Sequence, residues 1–234
     1  MLSLRDTLCS TLGQKFLMAL TGLALILFVI FHLLGNLPLL IPNGSVFNSY
    51  ANQLTSLGYW LKAAEVILSL LAILHILIAI RLKYLATRAR PTRYLQTRSK
   101  MGGGKQSASS RNLILSGTMI LFFLIIHIIQ FKYGPSIKEG YVTHLQGEPV
   151  RDLYRLVRES FHRRETVCFY VLSILFLGAH LKHGFWSSFQ SLGATRPRTS
   201  NAIFYLGVTL SVLLAIGYLI IPISIYFDLF QPQA

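Results

Sequence analysis

Acidic residues are scarce in this chain, with 8 Asp and Glu against 22 Lys and Arg in 234 residues. Charged residues together make up only 13%, about half the share usual in soluble domains, roughly 25%. Over 16–61, 112–131, 166–181 and 199–227 there is no Lys, Arg, Asp or Glu at all. A helix that crosses the hydrocarbon core needs about 20 mostly apolar residues, so these gaps exclude a soluble globular fold and predict membrane spans. Cysteine is nearly absent too. Cys9 and Cys168 form no CxxC or CxxCH, which excludes iron–sulfur ligation and covalent haem attachment by this chain. No dinucleotide-binding glycine fingerprint and no internal repeat occur. The net charge of +14 raises nucleic acid as a partner, but basic residues gathered at span ends are explained by topology, and no nucleic acid is expected.

What is present predicts an all-α integral membrane protein, a five-transmembrane-helix bundle in a single membrane domain over 1–234. The spans are expected at about 14–34, 58–84, 111–133, 165–190 and 201–227. The first is longer than a signal-peptide core and has no A-x-A site, so it is expected to be retained. Gly35, Asn36 and Pro38 close it, Gly134 and Pro135 stop the third, and Pro222 is expected to kink the fifth. One side of the membrane collects Arg5, Lys15, Arg81, Lys83, Lys182, Arg196, Arg198 and the basic loop 85–110, opposed only by Asp6. The positive-inside rule makes that side, with the N-terminus, cytoplasmic and the C-terminus external. Cys9 and Cys168 then face opposite sides, so no disulfide joins them. The basic loop reads either as a topology determinant with a solvated linker or as a docking surface for a soluble partner or anionic lipid. The external loop 134–164 is of mixed charge, with a short helix expected near 152–161.

Seven histidines are present. His144 and His162 fall in the external loop, where they need no explanation. The others lie in or near spans: His32 in the first, His75 in the second, His127 in the third, and His180 with His183 in the fourth. An ionisable residue in lipid is costly enough to be a functional hypothesis by default. One such histidine is more often a satisfied polar contact, but four successive spans carrying one each are harder to explain that way. At 1.5 Å per residue, His32 and His127 lie roughly 24–25 Å from the cytoplasmic boundary, with His75 roughly 9 Å and His180 roughly 15 Å from it. The depths predict two pairs, His32 with His127 and His75 with His180, each drawn from two helices. Two imidazoles from opposite sides are what a bis-histidine haem takes, with the macrocycle in the bundle core. Structural zinc needs about four ligands at one depth, and a proton relay usually adds carboxylates; here only Glu65 stands in a span, near its end. Polar contacts between helices predict no pairing by depth. His180 and His183 share roughly one face. His180 has small neighbours in Gly178 and Ala179, while His183 precedes Gly184 and Trp186, where it could hold a haem propionate or line a quinone pocket.

Two blocks carry a resemblance: "LGQKFLMALTGLALILFVIFHLLGNL" with "FNSYANQL", and "AHLKHGFWSSFQSLG". They resemble the cytochrome b membrane anchor of succinate dehydrogenases and fumarate reductases (succinate:quinone oxidoreductases), in its single-polypeptide, five-helix, two-haem form. The resemblance extends over the chain in span count, histidine placement and loop order. It implies two haem b groups, the outer held by His32 and His127 and the inner by His75 and His180, the first histidine of H-x-x-H being favoured over His183. It implies a flavoprotein subunit and an iron–sulfur subunit as partners, the latter docked on the basic cytoplasmic face. It also implies a quinone, expected to be menaquinone, and the bacterial cytoplasmic (inner) membrane. The implied reaction is succinate + quinone ⇌ fumarate + quinol, with no succinate or flavin site in this chain.

Quinone contacts are less determined. On the external side Asn36, Asn48, Gln53, Glu65, Gln130 and Tyr133 could donate to carbonyl oxygens. Glu65 could exchange a proton there, although a Lys62–Glu65 interfacial pair is the simpler reading. On the cytoplasmic side Lys15, His183 and Trp186 are candidates, and Lys15, Arg81 and Lys182 are cations for haem propionates. No carboxylate follows Glu165 in the fourth span, so no glutamate-based proton path is expected through it. The nearest rival is the dihaem cytochrome b subunit of another respiratory complex, such as a nitrate reductase, hydrogenase or formate dehydrogenase. A carrier or channel with intramembrane histidines, or a purely structural anchor, would lack haem or succinate-reducible haem.

Overall fold

A computed structural model describes Asp6 and residues 10–89 and 113–230. Five helices are long and apolar enough to cross a membrane, and the chain is a multi-pass membrane protein. Cys9 and most of the basic loop 85–110 lie outside the described residues.

Helix α1 spans Thr11–Asn36. Ser10 caps it by accepting from the Gly13 N–H at 3.0 Å, which satisfies a backbone donor the helix itself leaves orphaned. At its other end the Asn36 side chain donates to the His32 carbonyl at 2.7 Å. A single 3-10 stretch over Leu37–Leu40 follows, with Pro38 near its start. An unforeseen helix, α2 (Ser45–Ser56), comes next. It buries Phe47 and Asn48 while its other side chains stay wholly or partly exposed. Gly44 starts it at φ +72°, and a Cβ there would collide with the Tyr154 ring. Helix α3 spans Tyr59–Arg88, running past the expected end at 84 because Tyr84, Thr87 and Arg88 continue the helix beyond the apolar run. Helix α4 spans Leu113–His127 and gives way to a π turn at Ile128–Lys132, so its expected end near 133 is reached by a wider coil.

The segment 134–164, expected to be external, folds as a cap. Strands β1 (Val142–Leu145) and β2 (Glu148–Arg151) pair antiparallel, Val142 opposite Arg151 and Leu145 opposite Glu148. Gln146 and Gly147 both have positive φ, as a two-residue hairpin turn of the favoured twist requires. Helix α5 (Leu153–Phe161) follows, with Asp152 capping it by accepting from the Arg155 N–H at 3.0 Å. Buried Asn48 ties α2 to this cap. Its amide donates to Asp152 at 2.8 Å and its oxygen accepts from the Tyr154 N–H at 2.9 Å. The Arg151 guanidinium reaches the carbonyls of Phe131 and Pro135, both at 2.9 Å, and of Gly134 at 3.1 Å. A cation there satisfies the acceptors left open where α4 ends.

Helices α6 (Arg164–Ser191) and α7 (Ser200–Tyr226) complete the chain. Helix α7 is continuous through Pro222. Helix α1 packs on α3, α6 and α7, α6 packs on α7, and α4 packs on α6. The contiguous core therefore lies among α1, α6 and α7, with Ile26, Leu33, Tyr170, Leu181, Phe185, Leu214 and Ile221 in it. Among side chains of α3 only Ile78 is buried, and of α4 only Ser116. Lipid tails are as apolar as leucine, so outward apolar faces cost nothing there. Around a square of α1, α3, α4 and α6, the α3–α4 side is the loosely closed one.

Candidate functional site

The four span histidines stand at two levels of that square. Nearer the hairpin, His32 of α1 and His127 of α4 meet edge to face, ring centroids 5.7 Å apart and planes at 86°. Phe28 stacks on His32 at 5.3 Å and Phe123 on His127 at 5.4 Å, each from one turn back on the same helix. At the other level His75 of α3 lies against α1 and His180 of α6 against α4. The Nδ1 atom of His75 is 3.1 Å from Thr21 Oγ1, and Nδ1 of His180 is 3.2 Å from Ser116 Oγ. His32 follows Thr21 on α1 by three turns, and His127 follows Ser116 on α4 by three turns. The two levels are therefore about 16 Å apart at 1.5 Å per residue, and each of α1 and α4 shows a hydroxyl and a histidine on one face.

Placing the hydroxyl hydrogens on the nearest non-histidine acceptors gives one consistent set of tautomers. Thr21 gives its hydroxyl hydrogen to the Leu17 carbonyl at 2.9 Å, so it is left to accept from His75 Nδ1–H. Ser116 donates to the Leu113 carbonyl at 3.0 Å and accepts from His180 Nδ1–H. Tyr170 donates to Gln130 Oε1 at 2.9 Å and stands 3.1 Å from His127 Nδ1, accepting there. A neutral imidazole has one donor and one acceptor nitrogen. With the hydrogens so placed, three of the four rings have Nδ1 protonated and held and Nε2 carrying its lone pair, the arrangement that orients a metal-bound histidine. Among the described residues the His32 ring has no such partner; it is placed by Phe28, His127 and Tyr218.

The residues present fit a haem between paired imidazoles. An imidazole nitrogen lies about 2 Å from a first-row metal, so rings on opposite sides of one metal have centroids about 6 Å apart, close to the distance between His32 and His127. At the other level glycine leaves the room. A Cβ on Gly22 would sit 3.3 Å from His75 Cε1, and one on Gly117 would sit 3.6 Å from His180 Cε1. Among the described residues no three of His, Cys, Asp and Glu come together; His32 and His127 meet as a pair.

The remaining sequence candidates are dispersed. His183 is half-buried; among the described residues a buried hydroxyl, Ser116, meets the ring of His180 and none meets that of His183. Lys15, Arg81 and Lys182 are exposed at the end away from the hairpin. Trp186 packs edge to face on Phe204, centroids 5.9 Å apart. Asn36 is committed to the His32 carbonyl, Asn48 to the cap, and Gln53 is exposed on α2. The Lys62–Glu65 pairing is corrected: Glu65 pairs with Lys132 on the π turn, bridging α3 and α4 across the loose side. Lys62 is one turn before Glu65 on α3, whereas the wider coil after His127 presents Lys132 to it.

A cavity of about 380 Å³ opens at the hairpin end, within the range of small-molecule sites, about 300–1,000 Å³. Gln130, Tyr133, Pro135, Tyr141, Leu156, Glu159 and Arg163 line it. The Tyr141 hydroxyl donates to Glu159 at 2.5 Å and Arg155 reaches the same carboxylate at 2.7 Å. These bonds, Tyr141 first and Arg155 next, hold the Glu159 carboxyl below the usual range, and the same hydrogen bond raises the Tyr141 hydroxyl. Reading by sequence missed Thr21, Ser116, Tyr170, Tyr141 and Glu159. The first two carried a signal, a hydroxyl residue three turns before a histidine on both the first and third spans. Comparison with protein-family models, curated proteins and solved structures finds no match.

Proposed function

We propose that the chain is a dihaem cytochrome b subunit that anchors a succinate dehydrogenase or fumarate reductase to the membrane and passes electrons between an iron–sulfur subunit and a quinone. The observation that carries the haem half of this reading is the set of paired histidines at two levels, three with Nδ1 held and Nε2 free. The choice of complex rests on the two sequence blocks that resemble the succinate:quinone oxidoreductase anchors. The proposed orientation puts the hairpin outside and the basic end, facing the flavoprotein and iron–sulfur partners, in the bacterial cytoplasm.

In this reading His32 and His127 would hold one haem b, and His75 and His180 the other. The bound haems would supply reversible one-electron chemistry at two depths. The chain's own part is positional. Thr21, Ser116 and Tyr170 keep the Nδ1 protons in place, Gly22 and Gly117 leave room beside the rings, and Phe28, Phe123 and Phe131 keep water from the hairpin-side pair. Exposed Lys15, Arg81 and Lys182 are cations for propionates at the other end. The cavity beside Gln130 is the proposed place of the quinone ring, expected to be that of menaquinone. Tyr133 offers a hydroxyl there, and Ile129 and Leu156 offer apolar wall.

The test is a reduced-minus-oxidised spectrum of the purified complex, with haem counted per polypeptide and succinate as reductant. Two b-type haems, at least one reduced by succinate, are expected. Haems reduced only through a co-purifying nitrate reductase, hydrogenase or formate dehydrogenase would move the chain to that complex. No haem would overturn the reading and leave a carrier to be tested.

A further inference from the structure

The hydrogen bonds on the histidines differ in where they end. Those on His75 and His180 stop at once, because Thr21 and Ser116 pass their hydrogens to carbonyls of their own helices. The bond on His127 continues through Tyr170 to Gln130, a side chain, and Gln130 stands in the cavity wall. Tyr170 is buried in an aromatic cluster, with Phe161 and Phe123 edge-on at 4.9 and 5.0 Å. The ring is thus fixed by packing and its hydroxyl has only these two partners among the described residues.

Resting on the haem reading above, we infer that Tyr170 and Gln130 are positioning residues for His127, which set its tautomer and, through it, the potential of the hairpin-side haem. The direction of every bond in the chain follows from the Gln130 amide. With Oε1 toward Tyr170, the hydroxyl must donate to Gln130 and accept from His127 Nδ1–H, leaving Nε2 free to bind a metal. With the amide reversed, NH2 would donate to Tyr170, the hydroxyl would donate to Nδ1, and the proton would move to Nε2, where it blocks ligation. Gln130 in the orientation seen also keeps both amide hydrogens as donors beside the cavity. A hydroxyl that donates becomes a better acceptor, since linked hydrogen bonds polarise one another. A stronger acceptor on Nδ1–H makes the imidazole more basic and favours the oxidised metal. The chain therefore pulls the potential of one haem down and leaves the other alone.

Four variants of the purified complex test this, each read by optical redox titration of both haems and by the ferric electron paramagnetic resonance spectrum. Tyr170→Phe keeps the ring and removes the hydroxyl. It is expected to raise the midpoint potential of the hairpin-side haem, alter that haem's resonance signal, and leave the other haem unmoved. Gln130→Leu should shift it the same way by less, and Gln130→Glu, a stronger acceptor, the opposite way. In Tyr170→Phe combined with Gln130→Glu the downward shift should shrink; if it persists undiminished, the carboxylate acts through its field and the relay is refuted. Two haems per chain with neither potential moved by Tyr170→Phe, or with both moved equally, overturns the inference and spares the haem reading. A wild-type chain without haem overturns both.

Discussion

Replacing Thr21 with Val tests the chemistry of the site with almost no change of shape. Thr21 is buried, 3% exposed, and valine fills the same volume with a methyl where the hydroxyl was. Nδ1–H of His75 then loses its acceptor. A buried donor left unsatisfied costs about 1–3 kcal/mol, and the ring avoids that cost only by moving the proton to Nε2, where it could no longer bind a metal. Either way binding at this level weakens. Loss of such outer partners typically lowers metal affinity about 10–100-fold, equivalent to about 1.4–2.7 kcal/mol. Ser116→Ala removes the matching acceptor from His180, with Ser116 4% exposed, and should cost as much. The assay is the rate and extent of haem transfer from purified complex to an excess of a haem-scavenging apoprotein, followed separately for the two b-type bands. On the proposed haem reading, both variants should shed the haem of the His75–His180 level faster and retain the other as wild type does. Equal loss from both levels, or wild-type retention at both, would refute the tautomer argument, because the two hydroxyls contact rings of one level only.

Other consequences are simpler to state. On the same reading, alanine at His32 or His127 should empty the hairpin-side haem site, alanine at His75 or His180 the other one, and His183→Ala should keep both; haem per chain reads this directly. Asn48→Ala removes a bond to the Asp152 carboxylate and orphans the Tyr154 N–H, which together should cost about 2–5 kcal/mol, seen as faster proteolysis of the cap while the spans stay intact. Glu159 is held below the usual carboxylate range by Tyr141 and then Arg155. Its contribution to the cap is therefore present above about pH 4.3, the unfolded value, and lost as pH falls through the lowered folded value. Protection factors over 140–145, corrected for the intrinsic pH dependence of exchange, should fall through that window by more in wild type than in Glu159→Gln, where the Glu139 cap on Ser136 still titrates. The Glu65–Lys132 pair has both side chains 40% exposed, so a double-mutant cycle should give at most about 1 kcal/mol, falling with added salt.

How much of this was legible beforehand depends on which residues could advertise themselves. The spans could, because excluding charge from 20 or more positions leaves a mark that no local propensity imitates. Their ends could not be fixed as well. Helix α3 runs on to Arg88 because long basic side chains extend along apolar surface while their charges reach water, and α4 widens into a π turn that no spacing announces. The cap was half legible: Asp152 before an amphipathic stretch marks α5, but strands of four residues, one containing Pro149, show too little alternation to be read. The segment that became α2 has no charges to define a polar face, and it is held from a distance, by Asn48 on Asp152. The same distinction runs through the site. Histidines in lipid are conspicuous one at a time because each violates its surroundings. Thr21 and Ser116 violate nothing, since a short hydroxyl in a span can satisfy itself on its own helix backbone, and Tyr170 is one aromatic among many in the spans. Their importance exists only in the pairing of helices, where the hydrogen each gives away decides which nitrogen of a histidine on another helix is left with a lone pair.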